Sequence, residues 1–338
     1  MRSALKAGQR NMILDLEAHS RTDTAIKALL ALGYEQVEDK IAWQSCHKAG
    51  PASFTLVSSH EAAARLLTPY LFPATAPGFT LYLHVGPVPA WDFAHTSDRH
   101  LERLHVSEDG LLTAQYDVGT RCWSIWEEES QRGLLWIQSL EDLPVWHQTA
   151  PFRNLIHWAL AHTSAVLLHA GTVDNLLLAG KGGSGKSTTV AACALAGMGT
   201  CGDDMIAVED LHAYPVFNSV KLDASQAQRL GFGNGLQVSE KAAYRYTDLG
   251  MRVPLLAEIT AIIIPIVSNA DRCSVEPVSA AVALLALGPS TAFLLRGHEQ
   301  QSLEKIKALV RAVPCYELKL SHDLKDVTDT LGFLKDSV

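Results

Sequence analysis

The chain has 338 residues and a formal net charge of −8, with 48% hydrophobic and 19% charged residues. A hydrophobic share of this size can fill a sizeable core, which excludes a disordered chain, and the length predicts two domains or one large one. The acidic balance argues against the basic surface that nucleic-acid binding needs.

The sequence has no apolar segment of the length that a signal peptide or a membrane span requires. The longest apolar run, around residues 259–267, is far shorter than the ~20 residues that cross a bilayer. The six cysteines form no CxxC pair, so the sequence predicts reduced thiols rather than a zinc ribbon or a redox motif. We therefore expect a cytoplasmic protein with neither a membrane nor a nucleic acid as partner.

The first part of the chain, residues 1–148, predicts a small α+β domain. TDTAIKALLALGYEQ places apolar residues at helical spacing, and Gly33 is expected to end that helix. Between residues 78 and 140, short aromatic and β-branched segments are separated by Gly, Pro or Asp, which predicts an antiparallel sheet.

From residue 149 to residue 338, predicted strands and helices alternate, which indicates an α/β domain. The first strands are expected at residues 165–168 and 175–180, followed by a helix over 186–197. Later strands are predicted at IAVE, SVKL, EITAIIIPIV and CYELKL, and later helices begin near residues 279, 298 and 321.

A phosphate-binding pattern, GxxxxGK[ST], is matched in full after the second of these strands, where a helix is predicted to begin. Backbone N–H groups of such a loop point at phosphate oxygens, and the helix N-terminus adds partial positive charge. Lys186 is placed to reach the β- and γ-phosphates, and Ser187 to bind Mg²⁺. The predicted nucleotide-binding residues are Gly180, Lys181, Gly182, Gly183, Ser184, Gly185, Lys186, Ser187 and Thr188.

Two adjacent carboxylates, Asp203 and Asp204, follow Lys186 by 17 and 18 residues. The residues between Lys186 and this pair predict one helix and a very short strand at residues 200–202. This strand would return the chain beside the P-loop strand, the predicted strand at residues 175–180, and its carboxyl end would hold both carboxylates over the nucleotide. The two carboxylates of such a pair can have different roles: one binds Mg²⁺, and the other accepts a proton from an attacking hydroxyl. A solvated Asp-Asp turn is the alternative.

His169 lies 17 residues before Lys186, near the predicted turn between the first two strands of the α/β domain. A histidine at this position could contact the γ-phosphate or the incoming hydroxyl. The alternative is an ordinary structural histidine, which is the more frequent role of a lone histidine.

These three features, in this order, resemble the HPr kinase/phosphorylase family and, more distantly, the ATP-dependent phosphoenolpyruvate carboxykinases. The resemblance covers residues 150–210 well and residues 210–335 loosely. It implies a P-loop kinase domain of the HPr-kinase type that uses ATP and Mg²⁺, preceded by a smaller α+β domain. It also implies catalytic roles for His169, Lys186, Asp203 and Asp204. We assign the metal to Ser187 and Asp204, while the sequence leaves open which aspartate is the base.

The reaction implied by the resemblance is transfer of the γ-phosphoryl group of Mg·ATP to a Ser or Thr hydroxyl of a peptide or protein, for instance a ribosomally made precursor peptide. The stretch after the Asp pair differs from the LEIRGLG-like segment of HPr kinases, which argues against HPr itself as the acceptor. A small-molecule hydroxyl kinase and a nucleotide-binding regulator with little turnover stay open. The N-terminal domain is expected to serve substrate recognition or assembly, and a homo-oligomer is also left open.

Several cationic side chains after the Asp pair are weaker candidates, because Lys and Arg mostly occupy solvated surfaces. Lys221 and Lys241 lie where a related kinase could place a phosphate-binding cation, and Arg252 precedes a proline in a manner similar to a nucleotide-site loop of this superfamily. The weakest candidates are Arg296 and His298.

Overall fold

The computed structural model describes residues 19–90, 102–143 and 145–338, so residues 1–18, 91–101 and 144 of the predicted N-terminal domain lie outside the described residues. The described chain is a mixed α/β protein with sheets of seven, five, four and three strands. Among these residues, no helix combines the length and apolar character needed to cross a membrane.

The first part of the chain packs a long helix against the seven-stranded sheet. Its helices are α1 (His19–Glu38) and α2 (Glu61–Leu67), and a 3₁₀ turn follows at Thr68–Tyr70. Its strands are β1 (Trp43–Ala49), β2 (Ala52–Ser58), β3 (Phe79–Val85), β4 (Glu102–Val106), β5 (Leu112–Asp117), β6 (Cys122–Glu127) and β7 (Arg132–Ile137).

This sheet is mixed rather than antiparallel throughout. Strands β4 to β7 form the expected antiparallel meander, but β3 pairs in parallel with both β2 and β7. Parallel neighbours need a crossover connection, and the chain between β2 and β3 provides one through α2. The prediction of an antiparallel sheet is therefore wrong for β3, because the composition of a strand does not reveal the direction of its neighbour.

The predicted end of the first helix at Gly33 is also wrong, since α1 continues to Glu38. A Cβ atom at Gly33 would collide with Cδ2 of Leu134 in β7. The glycine lets the helix approach the sheet closely, so its role is packing rather than termination.

The second part of the chain contains the predicted alternation of strands and helices. Its helices are α3 (Val145–Thr149), α4 (Arg153–Ala161), α5 (Lys186–Leu195), α6 (Ala224–Arg229), α7 (Ala280–Leu294), α8 (Glu299–Ala312) and α9 (Leu324–Lys335). Its strands are β8 (Val166–Leu168), β9 (Gly171–Val173), β10 (Leu176–Leu178), β11 (Ile206–Glu209), β12 (His212–Pro215), β13 (Val220–Asp223), β14 (Leu236–Val238), β15 (Lys241–Tyr244), β16 (Ala257–Glu258), β17 (Ala261–Ala270), β18 (Ser274–Val278) and β19 (Cys315–Ser321).

The five-stranded sheet, in the order β18-β19-β17-β10-β9, supports the start of α5. Strand β10 is entirely leucine and fully buried, and it runs parallel to β17, which runs parallel to β19. Buried parallel strands have such continuous apolar sequences because helices or loops cover both faces. Their carboxyl ends lie at one edge of the sheet, the usual position of a ligand site in an α/β protein.

The four-stranded sheet, in the order β16-β12-β11-β8, brings His169 next to the Asp pair. Strands β8 and β11 are antiparallel, with Leu168 opposite Ile206. The residues that follow β8 therefore lie beside those that precede β11. Residues 200–202 form no strand; they run along β9, where the Thr172 N–H donates to the Gly202 carbonyl at 2.9 Å. The predicted position of this segment directly beside the P-loop strand is wrong, because β9 lies between them.

A single hydrophobic cluster crosses the predicted domain boundary at residue 148. It joins Phe54 and Trp126 of the seven-stranded sheet to Phe152 and Trp158 around α4, and to Leu167 of β8. All five side chains are buried. The two parts of the chain therefore pack against each other over a common core.

Candidate functional site

One cavity of about 380 Å³ collects the residues that the sequence singled out. It lies at the start of α5, and its volume is in the range of small-molecule sites. Of the predicted residues, the following line it: His169, Lys181, Gly182, Gly183, Ser184, Gly185, Lys186, Ser187, Thr188, Asp203 and Asp204. Gly180 contributes its carbonyl just behind this surface.

The loop between β10 and α5 has the tight curl that its glycines allow. Gly183 and Gly185 have φ angles of +80° and +96°, which favour glycine over any other residue. A Cβ atom at Gly185 would also lie 2.6 Å from Cδ1 of Leu320, so the helix start and the sheet edge are in close contact. This geometry leaves the N–H groups at the start of α5 without intrahelical partners, which is a suitable arrangement for an anion.

Lys186 is 5% exposed and folds back over this loop. Its ammonium group donates to the carbonyl of Gly180 and, at 3.3 Å, to the carbonyl of Lys181. Burial lowers the pKa of Lys186, while Asp204 and Asp203 act in the opposite direction. The Lys186 ammonium thus lies against the loop, in the lining of the cavity.

Asp203 is a buried carboxylate, 1% exposed, with an incomplete set of partners. The Tyr246 hydroxyl donates to Oδ1 at 3.1 Å, whereas the buried Oδ2 has no hydrogen-bond partner among the described residues. Burial, and next the charge of Asp204, raise the pKa of Asp203 to about 6, and the nearby Ser187 hydroxyl lowers it. A buried oxygen without a partner, close to a hydroxyl, fits a hard cation such as Mg²⁺.

Asp204 is in the opposite electrostatic state. Burial alone would raise its pKa, but Lys221 and His169 outweigh burial and hold the pKa of this carboxyl well below its usual value. The Lys221 ammonium donates to Oδ2 at 2.7 Å, and His169 Nε2 lies 3.4 Å from Oδ1. Asp204 is therefore ionised, and the Lys221 ammonium already compensates its charge.

His169 is anchored between Asp204 and α7. Its backbone N–H donates to Oγ1 of Thr291 at 3.2 Å, and Thr291 is fully buried. Its Nδ1 atom is buried and has no hydrogen-bond partner within residues 19–90, 102–143 and 145–338. The structure thus brings the predicted histidine and the predicted aspartate into contact.

The rest of the cavity wall was missed by sequence reasoning, apart from Lys221 and Lys241. It comes from β13, α6 and β15 on one side and from the ends of β17 and β19 and the start of α9 on the other. These residues are Lys221, Leu222, Asp223, Gln226, Arg229, Lys241, Val267, Ser268, Leu320, Ser321, His322, Leu324 and Val327, together with Thr189 of α5. Ligands of α/β proteins bind at the carboxyl ends of parallel strands, so the positions of Ser268 and Ser321 near the ends of β17 and β19 could have predicted them. No sequence signal pointed to Tyr246.

The weaker cationic candidates have different positions. Lys221 and Lys241 line the cavity, so a purely solvated role is wrong for Lys221, which binds Asp204. Arg252 does not line the cavity; its mostly exposed side chain binds Asp174. His298 is buried, and its Nε2 lies 2.9 Å from Oγ1 of Thr113 in β5.

Arg296 contributes through its backbone, since its carbonyl accepts a hydrogen bond from the Trp158 indole at 2.8 Å. This hydrogen bond ties the end of α7 to α4 within the second part of the chain.

Metal-binding capacity of the site rests on few protein ligands. Within the described part of the chain, no group of three or more His, Cys, Asp or Glu side chains is arranged to hold a metal ion. Mg²⁺ commonly uses one or two carboxylates together with substrate phosphates and water, so this sparse set is compatible with Mg²⁺ and unlike a structural zinc site.

Comparison of the sequence with models of known protein families found no match, and comparison with characterised proteins found none either.

Proposed function

We propose that this protein is a Mg·ATP-dependent kinase with a P-loop kinase domain of the HPr-kinase type. It transfers the γ-phosphoryl group to a Ser or Thr hydroxyl of a peptide or protein. The observation that carries the proposal is the meeting, in one cavity, of a complete phosphate-binding loop, His169, and two aspartates in unlike electrostatic states, Asp203 buried and Asp204 partly exposed.

The loop and the start of α5 would bind the phosphates of ATP. Their N–H groups would donate hydrogen bonds to phosphate oxygens, and Lys186 would exchange the carbonyls of Gly180 and Lys181 for the β- and γ-phosphates. Such contacts neutralise charge that moves toward the leaving group during transfer.

Ser187 and Asp203 are the residues that would hold Mg²⁺. The sequence led us to pair Ser187 with Asp204, but Asp204 already has Lys221 and His169 as partners, whereas Asp203 has an unpartnered oxygen near Ser187. When bound, Mg²⁺ would supply positive charge to the phosphate oxygens.

Asp204 would accept the proton of the attacking hydroxyl, and His169 would orient the carboxylate. The acceptor oxygen forms a bond to the γ-phosphorus, the bond to the bridging oxygen breaks, and its electron pair leaves with ADP. The proton moves to a carboxylate oxygen of Asp204. A low pKa does not disqualify this aspartate, because phosphoryl transfer passes through a loose transition state that needs little help from a strong base.

The two alternatives differ from this proposal in what they require of the site. A regulator that uses ATP as a conformational ligand needs no proton acceptor, so the pairing of Asp204 with His169 and Lys221 favours an enzyme. A small-molecule kinase would use the same residues, and its acceptor would differ only outside the phosphate site.

The test is transfer from labelled ATP, with Ser- and Thr-containing peptides, free serine-like hydroxyl compounds, or no acceptor. We expect label on a peptide hydroxyl, and Lys186→Ala should reduce it by ~10²–10³ or more, the usual loss for one such contact. ATP binding without transfer to any acceptor would support the regulator. Transfer to the small compounds alone would support the small-molecule kinase.

A further inference from the structure

Lys241 lies at the cavity wall that faces the phosphate-binding loop. It is the first residue of β15 and pairs in register with Asp223 of β13, so the three-stranded sheet holds it at a defined position. Lys241 and Lys186 line the same cavity, from elements that are far apart in sequence.

The other cations outside the loop that line this cavity already have partners. Lys221 binds the Asp204 carboxylate, and the Arg229 guanidinium donates to the carbonyl of His322. In contrast, Lys241 forms no ion pair within 4.0 Å with any acidic side chain that the structure describes.

Asp223, the cross-strand neighbour of Lys241, is occupied as the N-cap of α6. Its Oδ1 accepts from the Gln226 N–H at 3.0 Å and from the Ser225 hydroxyl at 2.7 Å. These two hydrogen bonds lower the pKa of Asp223, and the charge of Lys241 adds to the effect without forming an ion pair. Lys241 therefore lines the cavity without an ion-paired carboxylate among the described residues.

The two lysines also influence each other across the cavity. Burial is the main cause that lowers the pKa of Lys186, and the charge of Lys241 adds to it. Two ammonium groups that face one cavity repel each other, and an anion between them turns the repulsion into attraction to both. Since the lysine of such a loop reaches the β- and γ-phosphates, an anion shared with Lys241 is the terminal phosphate.

We infer that Lys241 is a second phosphate-binding cation, which contacts the γ-phosphoryl group of the bound nucleotide from the side opposite the loop. This inference rests on the proposed nucleotide site. Lys241 of β15 would then favour a triphosphate over a diphosphate, and it would stabilise negative charge on the group that is transferred.

The experiment measures dissociation constants of Mg·ADP and of a non-hydrolysable Mg·ATP analogue, so that it needs no acceptor and no turnover. The proteins are wild type, Lys241→Ala, Lys241→Arg and Lys40→Ala, the last removing an exposed lysine outside the cavity lining. Thermal melting of each protein checks that it is folded.

We expect Lys241→Ala to weaken the triphosphate analogue by about tenfold or more, the size of a lost charge-assisted hydrogen bond, and to weaken Mg·ADP by less than about threefold. Lys241→Arg and Lys40→Ala should stay within about threefold of wild type for both nucleotides. Equal weakening of both nucleotides, or no effect of Lys241→Ala, would overturn the inference alone. Wild-type protein that binds neither nucleotide would overturn the proposed function and this inference together.

Discussion

Two neighbouring residues of the same type have opposite electrostatic properties in this site. Asp203 accepts a hydrogen bond from Tyr246 and has no ion pair among the described residues, whereas Asp204 forms an ion pair with Lys221 and lies beside His169. Consecutive side chains in an irregular segment point in different directions, so their environments differ even though their sequence context is the same. This difference separates the two proposed roles.

The difference predicts opposite effects of two amide substitutions on the stability of the ligand-free protein. The folded-state pKa of Asp203 lies at about 6, against about 4 for an exposed aspartate, so ionising this buried group costs about 3 kcal/mol above pH 6. Asp203→Asn should therefore raise the melting temperature at pH 7.5. Asp204→Asn should lower it, because Lys221 loses its partner.

The raised pKa of Asp203 also predicts how the stability of the protein changes with pH. Since its pKa is raised on folding, the folded state binds the proton more tightly, and stability decreases as the pH rises from about 4 to about 6. The gain from Asp203→Asn over wild type should grow across pH 5 to 6.5 and then level off. A gain that is constant with pH, or a loss at pH 7.5, would contradict the raised pKa.

The same two substitutions should also reduce phosphoryl transfer in different ways, one through the rate of transfer and the other through Mg²⁺ and nucleotide binding. Asp204→Asn should slow transfer by roughly 10²–10⁴, the usual contribution of a positioned proton acceptor, with nucleotide affinity near normal. Asp203→Asn should instead raise the Mg²⁺ concentration required and weaken Mg·ATP binding. The measurement is the initial rate of transfer with Mg²⁺ titrated. Wild-type behaviour of both variants would indicate that the pair is only a turn.

At the scale of elements, antiparallel pairing of β8 with β11 determines the composition of the site. His169 follows one strand and Asp204 precedes the other, so the pairing itself brings the two residues together. In the same way, β13 carries Lys221 to Asp204, and its neighbour β15 brings Lys241 into the cavity lining. The proposed chemistry depends on these strand ends rather than on flexible loops, which favours a preorganised site.

Two helical glycines provide a test of how closely elements approach. Gly33 of α1 faces Leu134, which is fully buried, so Gly33→Ala should destabilise the protein by about 1–3 kcal/mol through overpacking. Gly332 of α9 is the matched control, since a Cβ atom there would make an ordinary contact with Met198 at 3.4 Å. Gly332→Ala should stabilise by up to about 1 kcal/mol through helix propensity. Chemical denaturation measures both, and a neutral Gly33→Ala would contradict the close packing of α1.

At the scale of the whole molecule, the common core joins the seven-stranded sheet to the elements that carry the site. Phe54 and Trp126 pack with Trp158, and the His298 ring forms a hydrogen bond with Thr113 of β5. Ligand binding at the cavity should therefore raise the free energy of unfolding of the entire chain.

Mg·ATP should raise the melting temperature of the protein. A ligand that binds only the folded state adds about 2.7 kcal/mol when its concentration is a hundred times its Kd. ATP with a chelator should give a smaller shift, and Lys186→Ala should lose most of the shift. Scanning fluorimetry at millimolar nucleotide measures all three, and the absence of any shift in wild type would indicate that the loop does not bind nucleotide.

Local signals in the sequence determined the glycine-rich loop that we propose binds phosphate, the α/β alternation of the second part of the chain, and the candidacy of His169 and the Asp pair. A loop that binds phosphate is encoded within eight consecutive residues, and helix and strand periodicity is encoded within one element. These features were predictable because each depends on residues close together in the chain.

Only the tertiary structure decided which partners these residues have. Tyr246 lies beside Asp203 and Lys221 beside Asp204 because β13, β15 and the loop after β15 pack against the site, not because of any local pattern. The parallel pairing of β3 and the core that crosses residue 148 likewise depend on contacts between distant segments. Such contacts are selected by the packing and burial of the whole chain, which a local stretch of sequence does not contain.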